Sequence, residues 1–252
     1  IWKKEYFADA VVSKGKTIFW SREDFVEREL EQGRVSIGDW LSSDFNLENA
    51  AATTALCRGL GISWETIRES LAAFRGVPGR MEYVAREPFA VVVDYAHTPD
   101  SLEAIYRALF ARTSNLQHPT SNTEHRTPNH NLICVLGSAG GGRDTWKRPE
   151  MGRGAAEYCD EIFLTSEDPY DENPETIIQG IVSGFSSNSK SKIPNYKVIL
   201  NRKEAIRAAI RAARPGDTVV MTGMGSQSYF YGPRGKKLPW DERAIVEEAL
   251  SH

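Results

Sequence analysis

Apolar residues along the chain fall into short runs, separated by stretches in which they recur at helical spacing. The runs are Phe89 to Asp94, Leu132 to Leu136, Glu161 to Thr165, Tyr196 to Leu200 and Thr218 to Thr222. Short runs bounded by polar residues predict buried strands. Between them, Pro99 to Phe110 carries Leu102, Ile105, Tyr106 and Leu109 on one helical stripe, and Met151 to Tyr158, Pro174 to Phe185, Lys203 to Ala213 and Asp241 to Leu250 read as further helices. Alternating strands and helices predict an α/β fold, a Rossmann-like, mostly parallel sheet with helices on both faces. Ligands of such sheets sit beyond the carboxyl ends of the strands.

The pattern upstream is different. A polar stretch from Ser42 leads through Phe45-Asn46-Leu47-Glu48-Asn49 into an Ala-rich run to Leu60, closed by Gly61, and a second helical stretch covers Trp64 to Phe74. The first reads as a helix with a glycine stop. Gly76-Val77-Pro78-Gly79 then breaks regular structure, so a domain boundary is placed between residues 76 and 77. Two polar segments, 113–131 and 186–194, interrupt the α/β pattern and read as surface insertions.

Composition narrows the picture by exclusion. The 252 residues are 40% apolar, enough for a buried core. The net charge of −3 comes from 31 basic and 34 acidic residues scattered together, which excludes the basic footprint of a nucleic-acid binder. No apolar run approaches the roughly 18 residues of a membrane span, and Ile1-Trp2-Lys3-Lys4-Glu5 opens no secretion signal, so a soluble cytoplasmic protein without membrane insertion is expected. Cys57, Cys134 and Cys159 are odd in number and widely spaced, which reads as three reduced, packed thiols rather than a disulfide framework or a zinc site.

Candidate chemistry gathers after the predicted strands. The first ends in Asp94-Tyr95-Ala96-His97-Thr98-Pro99-Asp100, with Thr98, Asp100 or Ser101 available to cap the next helix, whose free N–H groups suit an anion. Asp94 can accept from a sugar hydroxyl while His97 donates nearby; on spacing alone, the two serve equally well to satisfy each other and the turn. Arg80, in Pro78-Gly79-Arg80-Met81-Glu82, sits on a rigid turn where a guanidinium suits phosphate, although a lone surface arginine is the commoner reading. A metal site on Asp94 and His97 lacks further ligands, because His118, His125 and His130 lie in the polar insertion and His252 is terminal. No metal is assigned to these residues.

Taken in order, Phe45-Asn46-x-x-Asn49-Ala50, Val77-Pro78-Gly79-Arg80-Met81-Glu82, Val93-Asp94-Tyr95-Ala96-His97-Thr98-Pro99 and Gly140-Gly141-Gly142-Arg143-Asp144-Thr145-Trp146-Lys147-Arg148-Pro149-Glu150-Met151 are similar to the motifs of Mur ligases, the middle two most like the MurE branch. The resemblance runs from Asp44 to the C-terminus. It implies an ATP-dependent ligase that joins an amino acid to UDP-N-acetylmuramoyl-L-alanyl-D-glutamate in peptidoglycan precursor synthesis, acting as a monomer with ATP and Mg²⁺. Residues 1–76 would then be the end of the ATP-binding domain, and 77–252 the C-terminal domain. The resemblance puts Asn46 and Asn49 at adenine, Arg80, Asp94, Tyr95 and His97 at the phosphates and ribose, and Arg148 at the carboxylate of the incoming amino acid. Asn46 also reads as a helix cap, and Arg143, Lys147 and Arg148 as a basic surface loop.

The sequence departs from the family in three places. Where diaminopimelate-adding members carry D-N-P-R, this chain has Glu167-Asp168-Pro169-Tyr170, and where they carry G-x-G-H-E it has Gly223-Met224-Gly225-Ser226-Gln227. An arginine and an acid that would bracket a zwitterionic side chain are gone, so the selectivity positions Glu167, Asp168, Tyr170, Gly223 and Gln227 do not point to diaminopimelate. The G-x-x-G-K-[TS] phosphate loop is also missing; Gly15-Lys16-Thr17 lacks its leading glycine, and the family's Mg²⁺ ligands lie upstream. The chain alone is expected not to turn over ATP. A degenerate binding module with the fold but no ligation is the alternative.

Overall fold

The computed structural model describes residues 43–114, 130–142, 144–185 and 194–251. Gly15-Lys16-Thr17, Arg143, His118, His125 and most of the two polar insertions lie outside the described residues. The chain divides into two compact units, Ile1–Gly76 and Val77–His252.

In the first unit, α1 (Asp44–Gly59) buries Ala50, Ala51, Thr54 and Ala55, whose spacing puts them on one face. Its end follows from Gly61, at φ +83°: Gly61 N–H bonds to Arg58 O and Ile62 N–H to Cys57 O, the paired bonds of a Schellman cap. Ser63 then caps α2 (Trp64–Ala73) by accepting from Thr66 N–H. Ser43 occupies the cap position of α1, so Asn46 lies in the helix's first turn and is not its cap.

The second unit is a six-stranded sheet in the order β1-β2-β6-β3-β4-β5, made of β1 (Glu82–Ala85), β2 (Ala90–Val93), β3 (Leu132–Leu136), β4 (Glu161–Leu164), β5 (Asn195–Val198) and β6 (Thr218–Met221). All neighbours pair in parallel except β1, which runs antiparallel to β2. Crossovers are made by α3 (Pro99–Ser114), α4 (Lys147–Tyr158), α5 (Pro174–Val182) and α6 (Arg202–Ala212), and α7 (Glu242–Leu250) closes the chain. Side chains of a strand alternate between faces. Val91, Val93, Ile133, Val135, Phe163, Val219 and Met221 accordingly pack with Ala205, Ile206, Ala209 and Ile210 of α6 and Ile245 and Val246 of α7. Leu102, Ile105, Tyr106 and Leu109 of α3, the predicted stripe, are buried as well.

The predicted parallel sheet is present with its helices. Three features were not anticipated. The four residues of β1 and the hairpin of β7 (Tyr229–Tyr231) and β8 (Lys237–Pro239) are too short to show a period in sequence. The reading of three reduced thiols fails for two of them: Cys134 and Cys159 form a disulfide, their Cα atoms 6.1 Å apart. Cys134 lies in β3 and Cys159 just ahead of β4, which pairs with β3, so the sheet joins residues that a whole helix separates along the chain. Cys57 is free.

Candidate functional site

The loops that follow the strands meet at one edge of the sheet. After β2, Asp94 is buried, and its two oxygens are used within the turn: Oδ2 accepts from Met81 N–H at 2.6 Å and Oδ1 from Ala96 N–H at 2.7 Å. The first bond holds Met81 at φ +46°, a left-handed conformation that a methionine rarely adopts. Burial pushes the Asp94 carboxyl above its ordinary range, opposed by those two N–H donors and by the charges of Arg80 and His97. His97 does not bond to Asp94; its Nδ1 pairs with Tyr95 O at 2.9 Å. Thr98 and Ser101 cap α3 reciprocally.

Arg80 lies on the next turn, exposed, with its guanidinium 4.3 Å from the centre of the Tyr95 ring and one N–H on Gly79 O. Gly79 N–H donates to Glu82 Oε2, and Glu82 is in turn paired with Arg243 of α7. Gly79 packs directly on the backbone of Gly225 and Ser226, where a Cβ would collide. The Arg80 turn, the Asp94 turn and the loop after β6 therefore form one rigid corner. An exposed cation on such a corner fits an anionic phosphate.

A second corner follows β4. Asp168 Oδ1 accepts from Tyr231 N–H at 2.7 Å, and Oδ2 accepts from Gln227 Nε2 at 2.5 Å; the same amide nitrogen donates to Tyr229 O. Burial raises the Asp168 carboxyl, against the donors at Tyr231 and Gln227 and the charge of Arg202. The two segments that depart from the family's motifs, 167–170 and 223–227, are thus bonded to each other. Tyr170, at φ +50°, stacks on Tyr231 with ring centres 5.6 Å apart.

Glu167 is treated differently. It is 5% exposed, its Oε2 has no hydrogen-bond partner, and a Cβ at Gly223 would fall on that oxygen. Burial pushes its carboxyl up to about 7, opposed by Arg202 and Lys147 and reinforced by Asp168 and Glu242. Ser138 Oγ and Arg202 Nη1 are likewise buried without partners. Buried polar atoms left unpaired cost roughly 1–3 kcal/mol each, which marks this edge as built for something more than packing.

Arg148, assigned in sequence to a substrate carboxylate, is 4% exposed and already holds one: Nη1 and Nη2 grip Glu172 at 2.6 and 2.8 Å, and Nη2 also donates to Ala139 O. The hydrogen bond from Arg148 pulls the Glu172 carboxyl below its ordinary range, although burial works against it. The fork fixes the Gly140 loop to the turn before α5. Lys147 is buried, and so not part of a basic surface loop. Asn46 and Asn49 lie on α1 of the first unit, Asn49 exposed.

Sequence reading missed Ser138, Glu172 and the buried pair Arg202–Glu242, in which Arg202 also donates to Thr222 O at 2.7 Å and Trp240 Nε1 donates to Glu242. Glu172 and Glu242 lie 24 and 40 residues from the arginines they bind, so no local spacing announces them. Among the described residues, no group of three or more His, Cys, Asp or Glu is placed to hold a metal, and no helix is long and apolar enough to cross a membrane.

A family model described as the glutamate ligase domain of Mur ligases matches residues 79–225. The UDP-N-acetylmuramoyl-L-alanyl-D-glutamate--2,6-diaminopimelate ligase of Syntrophomonas wolfei is 36% identical over 263 aligned positions, covering 99% of this chain and 50% of its own length. The protein of the same name from Trichormus variabilis is 39% identical over 224 positions, covering 87% of this chain and 40% of its own. A solved structure of a ligase of that name superposes with a TM-score of 0.57 at 29% identity, over 83% of this chain and 39% of the other. Thermotoga maritima UDP-N-acetylmuramate-alanine ligase shares the fold, with a TM-score of 0.53 at 16% identity over 83% of this chain and 37% of the other. The chain spans half or less of the length of these curated relatives.

Proposed function

The chain belongs to the Mur ligase family through its glutamate ligase domain, and from that premise we propose that the protein carrying it is an ATP-dependent acid–amino-acid ligase of the MurE type. It joins the amine of a free amino acid to the D-glutamyl carboxylate of UDP-N-acetylmuramoyl-L-alanyl-D-glutamate, working as a monomer in the cytoplasm. Residues 1–76 are the end of its ATP-binding domain, and 77–252 the domain that handles the amino acid. The observation that carries the reading is the double corner: a rigid, exposed cation at Arg80 beside a buried polar edge at Glu167, Asp168 and Gln227.

ATP supplies the phosphoryl group that turns the carboxylate into an acyl phosphate. In this chain, Arg80 receives nucleotide phosphate. The Asp94 carboxylate keeps acceptor capacity beyond its two backbone bonds and faces the ribose side with Tyr95 and His97. Asn46 and Asn49 read adenine. Arg148, committed to Glu172, positions the Gly140 loop and leaves first contact with the amino acid to other groups. Mg²⁺ is assigned mainly to residues outside this chain. Catalysis of this kind is positioning and charge neutralisation.

The complete protein, given ATP, Mg²⁺, UDP-muramyl dipeptide and a panel including diaminopimelate, lysine and alanine, should release ADP and phosphate with one UDP-muramyl tripeptide. The purified 252-residue chain should release none. Turnover by the chain alone, or no tripeptide from the complete protein with any amino acid, would overturn the reading.

A further inference from the structure

We infer that Glu167 accepts the proton that the amino acid's ammonium group must lose before its nitrogen attacks the acyl phosphate. The inference rests on the ligase reading above. Five carboxylates are buried among the described residues: Asp94, Glu167, Asp168, Asp217 and Glu242. Four have both oxygens bonded. Asp94 takes Met81 and Ala96 N–H, Asp168 takes Tyr231 N–H and Gln227, Asp217 takes Asn131 and Arg214 N–H, and Glu242 takes Arg202 and Trp240. Glu167 alone is left with an oxygen, Oε2, that nothing in the chain serves. A carboxylate oxygen accepts, so whatever completes it is a hydrogen-bond donor.

The surroundings fix this carboxylate rather than leaving it to swing. Gly137 packs on its Cβ, with an added Cβ at Gly137 2.6 Å away, and Gly223 packs on Oε2 from the other loop. Those glycines leave no room for a side chain that would fill the place. The groups facing Glu167 are Lys147 at the start of α4, Arg202 at the start of α6, Glu242 at the start of α7, its neighbour Asp168, and Tyr106 of α3, whose phenol burial pushes upward and so keeps neutral. No ion pair joins Glu167 to Lys147 or Arg202, and Arg202 spends its charge on Glu242 at 2.5 Å. A base works best when its pKa lies near the operating pH, and Glu167 is held at about 7 by burial against those two cations.

The step balances simply. The ammonium N–H bond breaks and its proton passes to Glu167. The freed lone pair forms the C–N bond at the acyl carbon, the carbon–oxygen bond to phosphate breaks, and a second N–H proton leaves the nitrogen with the departing phosphate as hydrogen phosphate, giving the neutral amide. Asp168 is already committed, one oxygen accepting from Tyr231 of the hairpin and the other from Gln227 just ahead of it.

The test compares the complete protein with Glu167→Gln in two reactions. One is ligation; the other is trapping of the acyl phosphate by hydroxylamine, which is largely unprotonated at neutral pH and needs no base. Glu167→Gln should lose about 10²–10⁴-fold in kcat/KM for ligation, and with it the rise in rate through about pH 7, while hydroxamate formation stays within a few-fold of wild type. Glu167→Asp, which keeps a carboxyl, should retain part of the rate and the rise. Equal loss in both reactions would make Glu167 a structural charge and overturn the inference, as would unchanged ligation. Absence of hydroxamate in the wild type would instead sink the ligase reading, and the role of Glu167 with it.

Discussion

Asp94 and Glu167 each follow a strand of the same sheet, and both are carboxylates taken out of water, yet their oxygens are treated in opposite ways. Asp94 bonds two backbone N–H groups and so builds the corner on which Arg80 stands. Glu167 has an oxygen that bonds nothing in the chain, in a side chain packed closely between Gly137 and Gly223. The first arrangement stabilises the fold by serving buried donors. The second costs stability and is kept, which is how a residue meant for a visitor differs from one meant for the scaffold.

Substitutions that cross the two corners sharpen the contrast. The largest effect is expected from Gly223→Ala, which places a methyl group on Glu167 Oε2 at φ +102°; left-handed strain and overpacking together should cost about 3–5 kcal/mol in urea unfolding. The penalty should shrink when Glu167 is also alanine, and an unchanged penalty would show that the two residues are not in conflict. Asp94→Ala should cost roughly 2–5 kcal/mol, because it strands Met81 and Ala96 N–H without acceptors.

Glu167→Gln should do the reverse, and in a pH-dependent way. Burial raises the folded carboxyl from 4.5 to about 7, so the native state prefers it protonated. Wild-type stability is undiminished by this group below pH 4.5, falls as pH rises towards 7 and is flat above that. The variant, which cannot ionise, should therefore gain on wild type over that window, reaching of order 3 kcal/mol by pH 8 in paired thermal melts. A gap that widens on acidification would contradict it. Arg80→Ala, an exposed side chain, should change stability by less than about 1 kcal/mol yet weaken binding of a nucleotide probe to the complete protein. Unaltered nucleotide affinity would remove Arg80 from the phosphate site.

How much of this could be read along the chain depended on distance in sequence. The strands, their helices and the Asp94-Tyr95-Ala96-His97 turn are local patterns, and Gly61 announces the end of α1 in the residues themselves. Asp94 as a turn builder was legible too, as one of two readings that spacing left open. What escaped was whatever the sheet brings together: Cys134 with Cys159, Arg148 with Glu172, Arg202 with Glu242, and Asp168 with Gln227. Arg148 is instructive. Its fork geometry suggested a carboxylate partner correctly, but the partner is Glu172 of its own chain. Glu167 stood out only as a change within a motif; that its oxygen is left unserved follows from burial by loops after four different strands.

The most direct test is the fate of one oxygen. UDP-muramyl dipeptide labelled with ¹⁸O in the D-glutamyl carboxylate is ligated by the complete protein in a single turnover, and the released phosphate is examined by mass spectrometry. Passage through an acyl phosphate predicts one ¹⁸O in inorganic phosphate for each tripeptide formed. Unlabelled phosphate, or phosphate released without tripeptide, would contradict the account.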